Sequence, residues 1–434
     1  VSGPLGGISF KDRIIAFVDT VSITSILGTV FFVVVTLGMG FAILNRLTGD
    51  ETSPDPQQND GRSLATTSST SLPEEEQTAP PEPFYVVGSK IVDPDENVFV
   101  PVGVNAAISV ADFPYVFEGG NGGVNDHLDA VQAWGWNTVR ATLDCYNETG
   151  SPLQQDVIEG IDETVREFTA AGIVMILTCQ DSTGQDLALD SPLEIELREF
   201  WDVVVEKYRD NPYVWFNFFN EPFETADLES WPVLHQFYVD RFRSAGVENI
   251  MVLDLPIFGQ GIELAATDDF ADSLAAECNT VLGWHAWGAI NDTEATPEAY
   301  DVNLLTVLGK GLAVLIGEAG VPNPLDAGTA GNPEWNASGF YSAIEVAEQR
   351  NIGMLWWHGT GDTVDRLYYP LTADATGFWT AADGTNLSIA GERFWRFSNE
   401  DRPVEAFVGD LAESACPSAT GEPPTEPPVE PVGG

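Results

Sequence analysis

Two glutamates, Glu221 and Glu318, each close a short apolar run that reads as a buried strand: YVWFNFFNEPF over 213–223 and GLAVLIGEAG over 311–320. A carboxyl at the end of such a run stands on a rigid element, so two of them can meet over one pocket. Paired carboxylates divide the work of breaking a glycosidic bond, one moving a proton and the other serving the sugar ring. Polar and aromatic side chains also stand at the ends of the apolar runs: Asn105, Arg140, Gln180, Asp181, Asn220, His285, Trp287 and Trp357. An ordinary solvated loop would favour Ser, Gly, Lys and Asp, so this set reads as one site. The histidines show no metal-ligand spacing, so no catalytic metal and no other cofactor is expected, while a structural calcium stays open in so acidic a chain.

The elements that must position these residues follow from the apolar pattern. Strand-like runs cover 97–105, 137–144, 173–179, 213–219, 249–256, 280–287, 312–318 and 352–358. Amphipathic stretches at 156–172, 192–208 and 231–246 lie between some of them. Continuous apolar strands alternating with helices predict a parallel sheet buried on both faces. Eight such units predict an α/β fold, the (β/α)8 TIM barrel, whose chemistry belongs at the C-terminal ends of its strands. A doubly wound open sheet would need a Gly-rich phosphate turn after the first strand, and VGVNAAIS offers none.

On these residues the chain resembles glycoside hydrolase family 5, the cellulase and mannanase family. FNFFNEPF resembles its Asn-Glu-Pro motif at the end of the fourth strand, and GEAG resembles its nucleophile motif at the end of the seventh. VRATL, WHAW and LWWHGTGD resemble its segments on strands two, six and eight. ILTCQDSTGQD and IMVLDLPIFGQG are similar to segments of its bacterial β-mannanases, although Gln180 stands where a His is usual and Trp287 where a Tyr is common. The resemblance implies a retaining, endo-acting enzyme on β-1,4-linked polysaccharide, β-mannan or a cellulose-type glucan. Glu318 would be the nucleophile and Glu221 the acid/base. Arg140, Gln180, Asp181, Asn220, His285, Trp287 and Trp357 would bind substrate, with Trp356 and Trp379 as further subsite candidates. Arg140 is expected to lower the Glu318 pKa. A carbohydrate-binding surface protein of the same fold, without catalysis, is the alternative.

Composition bounds the partners. The 434 residues carry 67 acids against 18 bases, a formal charge of −49, which opposes nucleic acid as a partner. Such acidity suits a halophilic protein that needs salt to screen its self-repulsion. Val21 to Asn45 carry no charge and are long enough to span a bilayer. The expected organisation is a cytoplasmic segment at 1–20, a transmembrane helix at 21–45 and a disordered acidic linker at 46–82. The barrel then occupies 83–411, extracellular and monomeric, and a disordered Pro/Glu-rich tail occupies 412–434. Secretion after signal cleavage is the alternative location. Free buried thiols are expected for the four cysteines, while a bridge joining Cys145 to Cys179, or Cys278 to Cys416, stays open.

Overall fold

The computed structural model describes residues 83–107, 124–143, 145, 154–225, 229–268, 278–287, 296–321, 333–358, 384–385, 387–399 and 405–409. They belong to one compact unit, Gln77–Gly434, and the other unit, Val1–Glu76, lies outside them. The expected span at 21–45, the linker at 46–82, the tail at 412–434 and Trp379 therefore also lie outside the described residues. Among the described residues no helix is long and apolar enough to cross a membrane.

Each of the apolar runs holds one strand of a closed barrel. The strands are β1 (Val102–Ala107), β2 (Thr138–Leu143), β3 (Val174–Cys179), β4 (Val214–Asn217), β5 (Met251–Asp254), β6 (Thr280–His285), β7 (Ala313–Ala319) and β8 (Gly353–Trp356). All neighbours are parallel, and β8 closes on β1 with Leu355 opposite Gly103. A helix follows each strand: α1 (Val124–Ala133), α2 (Gln154–Ala170), α3 (Pro192–Tyr208), α4 (Ser230–Ser244), α5 (Ile262–Ala265), α6 (Pro297–Gly309), α7 (Pro333–Arg350) and α8 (Ile389–Ser398). Local chemistry sets several helix starts. Ser191 Oγ accepts from Glu194 N ahead of Pro192, and Ser388 Oγ accepts from Gly391 N at 3.0 Å.

The strands are apolar on both faces because each face has its own core. Val104, Ala141, Leu177, Phe216, Leu253, Trp284, Ile316 and Trp356 point outward into the layer shared with the helices. Val174, Ile176, Trp215, Val252, Val281, Ala313, Leu315 and Leu355 fill the barrel interior. A hairpin of Tyr85–Val87 paired with Lys90–Val92 seals the N-terminal end of the barrel. Next to it Phe84 meets Trp215 edge-on at 5.5 Å, and Asn279, just ahead of β6, accepts from Val86 N at 2.9 Å.

The cysteines correct the expectation of free thiols. Register sets Leu143 opposite Cys179, which brings Cys145, two residues on, within a Cα–Cα distance of 5.4 Å of Cys179, and the two form a disulfide. Cys278 is disulfide-bonded as well.

Candidate active site

Side-chain alternation along the strands builds the site. Counting by two from the interior apolar residues leads from Val174 and Ile176 to Thr178, from Trp215 to Asn217, and from Val252 to Asp254. The same count leads from Val281 through Gly283 to His285, while Asn105 and Arg140 sit at the matching level of β1 and β2. The interior is thus apolar at the bottom and polar at its C-terminal end. Glu318 breaks the count, since Leu315 and Gly317 would point inward and Glu318 outward. The pairing slips by one residue here: Trp284 faces Ile316 but His285 faces Glu318, and the β8 ladder slips at the same place. This bulge at Gly317 turns the Glu318 carboxyl into the site.

Arg140 is the centre of the buried network and has no exposed surface. Its Nη1 donates to Glu318 Oε1 at 2.8 Å and to Asn105 Oδ1 at 2.9 Å. Its Nη2 donates to Asn220 Oδ1 at 2.6 Å and to Asp254 Oδ2 at 3.0 Å, and its Nε donates to Asn217 Oδ1 at 2.9 Å. Arg140, expected to bind substrate, commits its guanidinium to protein oxygens, two of them on the carboxyls of Glu318 and Asp254. Asn220 is similarly engaged, for its Nδ2 donates to Thr183 Oγ1 at 2.7 Å, leaving one amide hydrogen.

His285 lies between the two glutamates. Its Nδ1 is 2.9 Å from Glu221 Oε1 and 3.4 Å from Glu318 Oε2. Its Nε2 is 3.2 Å from Asp254 Oδ2, an ion-pair contact and not an aligned hydrogen bond. One oxygen from each glutamate and a ring nitrogen of His285 lie within 4.8 Å of one another. Such a group has metal-ligand spacing, and two cations stand beside it. Burial alone would lower the His285 pKa; Glu318, Asp254 and Glu221 outweigh it and raise it to about 10, so the ring keeps its proton at neutral pH. A metal ion there would meet that imidazolium and the Arg140 guanidinium.

The carboxyls respond to the same balance. Burial pushes Glu318 up to about 7; the cations His285 and Arg140 pull against this, and Glu221 and Asp254 add to it. The expected lowering by Arg140 is therefore present but outweighed by burial. For Asp254 burial also raises the pKa, but His285 and Arg140 together hold it below the usual carboxylate range.

The remaining candidates fall into place around this centre. Trp287 Nε1 donates to Glu318 Oε2 at 3.4 Å. Gln180 is half-buried, and its Oε1 has no hydrogen-bond partner among the described residues. Asp181 Oδ2 accepts from Cys145 N at 2.6 Å. Trp357 is half-buried, its backbone N–H donating to Ala319 O at 2.9 Å. Trp356 is no subsite: it is fully buried on the outer face of the barrel, packed edge-on against Phe340 at 5.0 Å. Sequence reasoning missed Asn217 and Asp254, because both lie inside apolar runs read as strand interior. Two-residue counting from Trp215 and Val252 would have found them.

Comparison with known proteins bears on the family and the fold. The family model described as Cellulase (glycosyl hydrolase family 5) matches residues 105–362. A mannan endo-1,4-beta-mannosidase of Streptomyces lividans is 26% identical over 290 residues, covering 65% of this chain and 68% of the relative. The solved catalytic domain of a mannanase from Streptomyces sp. SirexAA-E aligns with a TM-score of 0.53 at 24% identity, covering 76% of this chain and 94% of that one. The catalytic domain of a Thermobifida fusca endoglucanase aligns with a TM-score of 0.53 at 15% identity, covering 73% of this chain and 96% of that one. At such identities the structural likeness carries the fold.

Proposed function

The chain belongs to the cellulase family, glycosyl hydrolase family 5, and from that membership we propose that it is a retaining, endo-acting hydrolase of β-1,4-linked polysaccharide. The observation that carries the reading is the closeness of Glu221 and Glu318, whose nearest oxygens and His285 fall within 4.8 Å. Retaining enzymes hold their carboxyls about 5–5.5 Å apart, whereas inverting enzymes need about 6.5–9.5 Å to admit a water.

In this mechanism Glu318, ionised, attacks the anomeric carbon while Glu221 gives its proton to the leaving oxygen. The glycosidic bond breaks and a glycosyl ester of Glu318 forms. Glu221 then takes a proton from water, which attacks the anomeric carbon and releases Glu318. Arg140 and His285 stabilise the Glu318 carboxylate for attack. The remaining Asn220 amide hydrogen is available to the sugar 2-hydroxyl, and the buried Gln180 Oε1 can accept from another hydroxyl. Trp357 offers a flat face for the sugar in the cleaved subsite. Mannan is the favoured polymer, supported by the strand-three resemblance and the curated mannosidase relative; cellulose-type glucan is the runner-up.

Product configuration, followed by NMR from the first turnover, tests the reading: retention is expected, and net inversion would exclude a covalent Glu318. Glu318→Ala should lose nearly all activity and recover part of it with azide, giving a product of inverted configuration. Soluble mannan, carboxymethylcellulose, xylan and β-1,3-glucan assayed together identify the polymer.

We also propose that 21–45 anchors the chain with its barrel outside the cell and acting as a monomer. Protease treatment of intact cells should release the activity, and activity that stays with the cytosol would refute the anchor.

A further inference from the structure

Asp181 and the Cys145–Cys179 disulfide link the segments that leave β2 and β3. Asp181 Oδ2 accepts from Cys145 N at 2.6 Å, and Cys145 is bonded to Cys179, so two ties cross the same gap. The β3 side of this clasp is the bed beneath Asn220 and Glu221. Cys179 O accepts from Asn220 N at 3.1 Å, and Ser182 Oγ is 3.0 Å from Cys179 O and 2.9 Å from Asn220 O. Asn220 Nδ2 donates to Thr183 Oγ1, Gly184 N donates to Glu221 O at 2.9 Å, and Phe223 N donates to Gln185 O at 3.0 Å.

The bed holds a backbone that would not hold itself. Glu221 has φ +45° and Phe223 has φ +63°, both left-handed and neither glycine. That region crowds the Cβ of any residue but glycine, so it persists only where neighbours over-determine it. Within this geometry the Glu221 carboxyl reaches His285, and its backbone N–H reaches Asp254 Oδ2 at 3.2 Å.

We propose that Asp181 and the Cys145–Cys179 disulfide are positioning elements for Glu221, fixing the 179–185 segment that carries its backbone. The inference rests on the reading of Glu221 as proton donor. It assigns Asp181 to the acid/base and not to the sugar.

The test compares two aryl glycosides of the sugar that the polysaccharide panel selects. One has a poor leaving group that needs Glu221's proton, and the other is a dinitrophenyl glycoside that does not. The full chain is assayed as Asp181→Ala, as Asp181→Asn and as the double variant Cys145→Ala/Cys179→Ala, which leaves the bridge at Cys278 intact. For Asp181→Ala and the double variant, kcat/KM should fall about 10-fold or more on the poor leaving group, as displacement of a catalytic group requires. It should stay within about 2-fold on the dinitrophenyl glycoside, which has no need of the displaced group. Asp181→Asn keeps an oxygen that can accept from Cys145 N and should recover most of the loss. Equal losses on both substrates, or no loss on either while the melting temperature falls, would overturn the proposal. If the double variant does not fold, the two Asp181 variants decide alone. Glu221→Gln is the parallel control: full activity on the poor leaving group would sink the acid/base reading itself.

Discussion

Burial sets the titration of Glu318, and among its charged neighbours His285, neither a nucleophile nor an acid in the proposed reaction, acts most strongly on it. Since burial raises Glu318 to about 7, protonation below that value removes the carboxylate that must attack. The acidic limb of kcat/KM should therefore lie near 7, with the rate rising as pH rises. Part of the rise comes from the Glu221 charge. In Glu221→Gln, assayed on a dinitrophenyl glycoside, the limb should move to lower pH; an unmoved limb would show that the two carboxyls do not sense each other. For His285 the folded pKa of about 10 exceeds the ordinary 6.5, so its stabilisation is complete below about 6.5 and lost as pH rises through about 10. Asp254→Asn removes the anion shared by Arg140 and His285. Breaking a buried pair in this way costs about 3–5 kcal/mol. Urea unfolding should show that loss, and an NMR titration should show the His285 pKa falling, because Asp254 helps to raise it.

Strands and their connections decide where these groups point. Glu318 owes its direction to the Gly317 bulge, where an added Cβ would lie 3.2 Å from His285 Nε2. The turn after β5 supports the other side of the imidazole. Gly259, at φ +73°, accepts from His285 N at 2.8 Å, and a Cβ on it would sit 2.4 Å from the ring. Gly259→Ala should therefore cost about 1–3 kcal/mol through crowding and lower kcat more than it changes KM, because His285 must move from between the glutamates. Thermal melts and steady-state kinetics check both, and unchanged kinetics would mean that the ring tolerates displacement. The seam between β4 and β5 pairs only at Phe216 and Met251, and there the Asn217 side chain adds bonds to Val252 O at 3.0 Å and Asp254 Oδ1 at 3.1 Å. A polar residue in an apolar run thus completes the sheet and orients Asp254 at once.

At the scale of the whole molecule, charge is the dominant unbalanced quantity. A formal charge of −49 repels itself across the surface. Screening shortens from about 10 Å at 0.1 M salt to about 3 Å at 1 M, so the melting temperature should climb with sodium chloride over that range. A flat response would mean that the acids do not limit stability. The buried cluster should respond much less, because salt reaches it poorly. Activity normalised to the folded fraction should accordingly vary less with salt than the melting temperature does.

The barrel and the positions of Glu221 and Glu318 were legible from the sequence. Parallel strands buried on both faces leave continuous apolar runs, and a polar residue at the end of each run is a local signal. All the runs hold strands, and α3 spans the stretch expected at 192–208. The short helix α5 carried too few residues to show a period. The sequence did not reveal direction and partnership. Glu318 faces inward because register slips against both β6 and β8, and Arg140 serves the carboxyls because its interior level is crowded by Asn105, Asn217 and Asp254. Cys145 meets Cys179 because two strands align, and burial outweighs a neighbouring cation at Glu318 because several strands close around it. Each depends on residues distant in the chain, so local pattern could name the groups and only the closed barrel could set them against one another.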